Sequence, residues 1–456
     1  MQRRLHYILL ISISIFLASC NSDIIDKPNN DEVPATKAYS NRSVIQWNLI
    51  YLDIEKDHPS FRPATTARAL AYIHMAAYQT ALPGMDGYKS ISDVLNIPTL
   101  PKTPQNKKIN YEIALNAAFR TTLKHFFFAM NQTQLKLIEL NYDKLNYEYG
   151  VDWKQEDIEN SIEWGEQVAD AVIQFAITDG TAEQQIRDIR PASYRPPVGD
   201  GLWEPTAPDF GRAIYPFWGS ARRFAISEGE MKSPAPPQFS TDVNSEYYKN
   251  FKEVYDRVKA RPYVEQWIAE FWSDDITGLT FSPPARTFAI ANQLVEKEKY
   301  DLEKTLHLYL KLGLASNDAA VSAWYNKYIY NVERPTNYIT KYIDPSFKPT
   351  LGRAINNEGL SPAFPGYPSG HSTFGGVQEI ILAGFFGENY TFTDRCHENR
   401  NEFFGAPRTY FSFRELAEEN AYSRIYIGVH PRMDCEEGLR LGRLVAQKVL
   451  DLNFRN

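Results

Sequence analysis

The sequence predicts an all-α protein assembled from helix bundles. From about Ser40 onward the apolar residues recur at helical spacing almost throughout, and no stretch keeps the sustained alternation of a sheet strand. The 456 residues are 43% hydrophobic, enough for one large core or two smaller ones. An aromatic share of 14%, with 28 Tyr and 26 Phe, excludes a disordered or low-complexity chain.

The first forty residues stand apart. Met1-Gln2-Arg3-Arg4 is a charged start, and Tyr7 to Phe16 is an apolar run broken only by two serines. The run is too short to span a bilayer comfortably. Leu17-Ala18-Ser19-Cys20 resembles the lipobox of bacterial lipoproteins. That resemblance implies a signal peptide over residues 1–19, lipidation of Cys20, and an exported protein held at a membrane. An ordinary signal peptide with an incidental Cys is the plainer alternative. Residues 20–40 are polar and read as a tether, leaving 41–456 as the folded domain. Loss of Arg3 and Arg4 takes the net charge from -7 to about -9. An acidic total argues against nucleic acid as a partner.

The helices follow in order. Arg68 to Tyr78 carries a small-residue face suited to close packing. Tyr111 to Ala129 and Thr133 to Tyr149 are separated by Asn131, and Glu156 to Thr178 ends at Asp179-Gly180. Pro191 to Pro237, rich in Pro, Gly and Trp, reads as an ordered excursion over the bundle, with Trp203, Phe217, Trp218 and Phe224 wanting burial. Helices resume at Ser245 to Lys259, Tyr263 to Trp272 and Ala285 to Glu298. Leu302 to Val332 then shows a stripe through Leu306, Leu310, Leu314, Val321 and Trp324.

Three clusters carry chemistry. Lys327 and Arg334 are seven residues apart, which on one helix places them on one face ~10 Å apart. Pro335 ends that helix at Arg334. Taken alone, the pair is a solvated basic helix end. Pro368-Ser369-Gly370-His371 precedes a helix packed through Gly375, Gly376 and Gly384, so it offers unpaired N–H groups, a hydroxyl and an imidazole to one small anion. Ser423-Arg424 closes another helix, and Gly428 permits the bend that leads to His430. Asp434 either orients the His430 ring or caps the last helix. Cys396 and Cys435 either form a bridge that braces the site or stay as separate thiols. His74, His125 and His307 lie on helical faces as structural residues, while His58 and His397 fall in polar loops without a motif. The combined set is rich in cations and poor in carboxylates and thiolates. It suits a tetrahedral dianion such as phosphate or vanadate, not zinc, calcium or di-iron.

Lys-x6-Arg-Pro, Pro-Ser-Gly-His and Ser-Arg-x5-His, in this order, resemble the three motifs of one superfamily. It joins type 2 phosphatidic acid phosphatases, bacterial class A acid phosphatases and vanadium-dependent haloperoxidases. The motifs fall within 327–434. Phe364 to Gly376 and the Gly428-Val429-His430-x-Arg432-x-Asp434 run are most similar to the haloperoxidase branch. The resemblance implies an all-α helix-bundle architecture like that of vanadium chloroperoxidase and class A acid phosphatase.

The resemblance also implies the chemistry. His430 would be the axial vanadium ligand of bound vanadate. Lys327, Arg334, Arg424, Ser369 and the Gly370 N–H would hold the other oxygens. His371 would act as acid–base, Lys327 would polarise the hydrogen peroxide, and halide would leave as a hypohalous acid equivalent. Phe364 stands where chloride-oxidising members carry Phe and bromide enzymes usually carry His. In the phosphatase alternative, His430 attacks a phosphate monoester, His371 protonates the leaving alcohol, Asp434 orients His430, and no vanadate is needed. A third reading, a non-catalytic glycan- or nutrient-binding lipoprotein, fits the composition but gives no reason for three oxyanion motifs. Superfamily members often form dimers, so a homodimer is expected, with no interface legible in the sequence.

Overall fold

The computed structural model describes residues 35–58, 63–97, 100–102, 104–274 and 276–456. The signal peptide, Cys20 and all but the end of the tether lie outside the described residues. The first half builds a bundle from α1 (Arg42–Asp57), α2 (Ala64–Ala81), the short α3 (Ile91–Leu95), α4 (Tyr111–Phe126), α5 (Gln132–Gly150), α6 (Gln155–Ile177) and α7 (Gly180–Arg187). The excursion follows, holding only the one-turn α8 (Glu228–Met231) and a short 3-10 turn at Trp218–Ser220. Next come α9 (Glu246–Ala260), α10 (Tyr263–Phe271), α11 (Pro283–Lys297), α12 (Leu302–Tyr330), α13 (Pro335–Tyr342) and α14 (Gly370–Phe386). A two-stranded antiparallel ribbon, β1 (Phe392–Asp394) and β2 (Arg408–Tyr410), precedes α15 (Phe413–Ile427) and α16 (Arg432–Leu450). Among the described residues no helix is long and apolar enough to cross a membrane.

The 29-residue α12 is the axis of the molecule. One side packs on α2, where a side chain at Gly313 would meet the Ala71 backbone at 2.8 Å. Another packs on α14 and α16. α12 is buried nearly all round, polar residues such as Lys311, Asp318 and Lys327 included. It joins the first bundle (α2, α4, α6) to the second (α14, α15, α16). The contact between α14 and α16 is drawn tight by glycines. A Cβ on Gly442 would lie 2.0 Å from the Thr373 carbonyl, and one on Gly438 would lie 2.6 Å from the Ser369 carbonyl.

Several expectations are corrected. Lys327 and Arg334 do not share a helix: α12 stops at Tyr330 with Asn331 in the left-handed region, and Arg334 is the extended residue before Pro335, which opens α13. Pro at a first helical position starts a helix as readily as it ends one. The break at Asp179-Gly180 holds, since α6 ends at Ile177, and Asp179 also opens α7 by capping Ala182 N–H. Trp203 and Trp218 are buried as expected, but Phe217 is 43% exposed. Cys396 and Cys435 are separate thiols. His58 is buried against Phe127 and Phe128, and His397 lies inside a buried ion network.

Replacement of Gly442 by Ala forces its Cβ into the Thr373 carbonyl and should cost ~1–3 kcal/mol in denaturant unfolding. Gly229→Ala, with open space around it, should stay within ~0.5 kcal/mol of the parent.

Candidate active site

The site forms where the end of α12, the start of α14 and the turn between α15 and α16 converge. The excursion fixes the first of these. Trp203 N–H donates to Asn331 O at 2.6 Å, Glu333 N–H to Gly201 O at 3.0 Å, and Tyr194 Oη to Asn331 Oδ1 at 2.8 Å. The α12–α13 turn is thereby pinned, and Arg334 with it. Ser369 caps α14 by accepting from Ser372 N–H at 3.3 Å, and its own N–H donates to Asp434 O at 2.9 Å. That second bond ties the α14 start to α16. Gly428, in the left-handed region, ends α15 two residues before His430.

Lys327, Arg334 and Arg424 are all completely buried. Each is held by backbone carbonyls. Lys327 Nζ donates to Pro365 O, Gly366 O and Pro368 O at 2.9, 2.8 and 2.6 Å. Arg334 donates through Nε to Phe364 O at 2.8 Å and through Nη1 to Val429 O at 3.0 Å. Arg424 donates to Trp272 O and to Ser423 Oγ. The three donors of Lys327 shape the Pro365–Pro368 loop.

His430 sits in the middle of this ring. Its Nδ1 lies 2.8 Å from Asp434 Oδ2, and its Nε2 lies 3.0 Å from Arg334 Nη1. Asp434 thus orients the ring; no side chain caps α16. Burial holds His430 well below the ordinary imidazole range, and Arg334, Lys327, His371 and Arg424 push it further down. Burial, followed by Arg334, also drives Lys327 well below the ordinary lysine range. Burial pushes Asp434 up to about 7, against the pull of Lys327 and Arg334. An ionised Asp434 accepts from Nδ1–H and leaves the Nε2 lone pair as the acceptor. A side chain at Gly366 would lie 2.8 Å from Asp434 Oδ2, so glycine there admits the carboxylate.

A cavity of about 350 Å³ opens over these groups. His371 and His430 form its floor with Gly370, and Phe364 and Trp324 form an aromatic wall. The Phe364 ring faces Lys327 Nζ at 5.1 Å and the Arg334 guanidinium at 4.8 Å. Asp274 lines the same cavity and was not singled out from the sequence. It is bound by Arg286 at 3.2 Å. Burial pushes its carboxyl up, but Arg286, His397 and His371 more than reverse this, and it stays below the ordinary range. No motif spacing marks it, because its partners lie on α11 and α14 and in the loop after β1.

The comparisons agree on one family. Residues 307–455 match the VCPO second helical-bundle domain. The vanadium chloroperoxidase of Curvularia inaequalis is 24% identical over 504 aligned positions, covering 90% of this chain and 81% of that one. The crystal structure of a bacterial vanadium-dependent iodoperoxidase superposes with a TM-score of 0.80 at 29% identity, covering 91% of this chain and 98% of that one. All of these likenesses are to vanadium haloperoxidases. A holo-form bacterial vanadium-dependent chloroperoxidase, at 15% identity and a TM-score of 0.64, shares the fold over 88% of this chain and 95% of its own.

Of the residues expected from the motifs, Phe364, Gly370, His371 and His430 line the cavity. Arg334 and Asp434 hydrogen-bond to His430, and Lys327, Arg424 and Ser369 are buried beside them. Glu333, beside Arg334, is also buried and accepts from Tyr247 Oη at 3.1 Å. Burial raises its carboxyl to about 7. Its neutral form suits the fold, so stability is full below the ordinary glutamate value and is lost as pH rises through about 7. Glu333→Gln should therefore gain up to about 3 kcal/mol over the parent at pH 8, with the two converging near pH 4.5, in denaturant titrations across that range.

Proposed function

We propose that this chain is a vanadate-dependent haloperoxidase that uses hydrogen peroxide to oxidise halide to hypohalous acid. The observation that carries the reading is the ring of buried cations around the neutral Nε2 of His430 at a cavity floor. The donor set fits vanadate. Arg334 and Arg424 supply permanent positive charge, Lys327 adds to it, and Gly370 opens α14, where first-turn N–H groups have no helical partner. The carboxylate beside them, Asp434, is engaged with His430 Nδ1, and Asp274 in the cavity lining is paired with Arg286. His430 Nε2, with Nδ1 engaged by Asp434, is the nitrogen that would bind the metal centre in place of its contact with Arg334 Nη1. Bound there, vanadate supplies a Lewis-acid centre at which peroxide is activated toward halide.

The protein's own groups do the rest. Arg334 and Arg424 balance oxyanion charge inside a low-dielectric site, where pre-placed donors are most effective. Asp434 fixes the His430 tautomer. His371, 6% exposed at the cavity floor, holds and moves the proton that the overall reaction consumes: halide, hydrogen peroxide and one proton become hypohalous acid and water. Phe364 and Trp324 keep water from the halide side of the cavity.

The reading is checked by following bromination or iodination of a phenolic dye with peroxide, with and without orthovanadate. Activity should depend on orthovanadate, and His430→Ala should lose affinity and turnover together. A vanadate-free aliquot given p-nitrophenyl phosphate tests the phosphatase alternative. Phosphate release without halogenation, or full activity in His430→Ala, would overturn the proposal.

A further inference from the structure

We propose that Arg190 is the entry residue of the active-site cavity, drawing small inorganic anions from solvent toward the histidine floor. The inference rests on the function proposed above. Lys327, Arg334 and Arg424 have no exposed surface and so do not face bulk solvent. Among the described residues that line the cavity, Arg190 is the one Arg or Lys. It is half-buried, whereas His371 and His430 are 6% and 3% exposed. Exposed Ala207, Asp209 and Thr277 mark the rim.

The rim is built to hold that guanidinium. Arg190 Nη1 donates to Arg212 O at 3.2 Å. Tyr215 N–H donates to Ile189 O, and Ile214 N–H to Ala363 O, each at 2.9 Å. The excursion is thus stitched to both Arg190's own strand of chain and the loop before Phe364. Gly211 completes the seat: a Cβ there would lie 2.2 Å from Arg190 Nη1. Any side chain at 211 displaces the guanidinium. Asp209, on the same rim, carries the opposite sign and opposes Arg190. A charge in a narrow low-dielectric mouth raises the local concentration of its counter-ion, and salt screens the effect.

The test is stopped-flow association of orthovanadate with the full-length protein, followed by the intrinsic fluorescence that Trp324 contributes at the cavity wall. Arg190→Gln should slow association about threefold to tenfold at low ionic strength, and the difference should collapse at about 0.5 M salt. Arg190→Lys should keep most of the parent rate, Gly211→Ala should fall between, and Asp209→Asn should be faster than the parent. Dissociation should change less than about twofold. An Arg190→Gln rate equal to the parent, or a deficit unchanged by salt, would overturn the inference alone. A parent protein that binds no orthovanadate would overturn it together with the proposed function.

Discussion

Everything around the site answers to the burial of like charge. Lys327, Arg334 and Arg424 have no exposed surface, and the carboxylate among them, Asp434, is engaged with His430. Charges removed from water are costly unless they are paired or hydrogen-bonded. The fold meets that demand with backbone carbonyls from Trp272, Phe364, Pro365, Gly366, Pro368 and Val429. Carbonyl dipoles stabilise cations without cancelling them. The pocket therefore stays electropositive, which adds to burial in holding His430 and Lys327 below their ordinary ranges and makes an incoming oxyanion welcome.

Such a pocket demands precise backbone placement. The carbonyls on Lys327 all come from a loop with prolines on both sides of Gly366-Tyr367, whose shape has little freedom. That loop is in turn fixed to α16 through Ser369 N–H on Asp434 O. The glycine contacts hold α14 close against α16 beside the site. The excursion clamps the α12–α13 turn from the other side. Helices supply the rigidity and irregular segments supply the chemistry, a division common in enzymes.

The motif residues were legible because each cluster is short and its chemistry is local. The helix start at Ser369-Gly370 and Asp434 four residues after His430 both follow from sequence spacing. The bundle was legible for a similar reason, since helical periodicity is a local signal. What stayed hidden was set by distance along the chain. Asp274 is joined to the site only by tertiary folding, as are Arg190 and the rim. His397 looked like a loop residue because its neighbours in sequence are polar; its neighbours in space are Phe271, Phe281, Phe403 and Arg286. The reach of α12 was overestimated because Pro335 was read only as a stop. The three carbonyls that hold Lys327 are likewise set by the fold and leave no local mark in the sequence.

The central claim is that the buried cations and His430 form one oxyanion seat. Calorimetric titration of orthovanadate into the parent and into Arg334→Ala tests it most directly. The expected result is a single site per chain in the parent, competed by inorganic phosphate, and an affinity at least about tenfold weaker in the variant. Binding of equal strength in both proteins, or none in a parent whose fold is intact by circular dichroism, would contradict it.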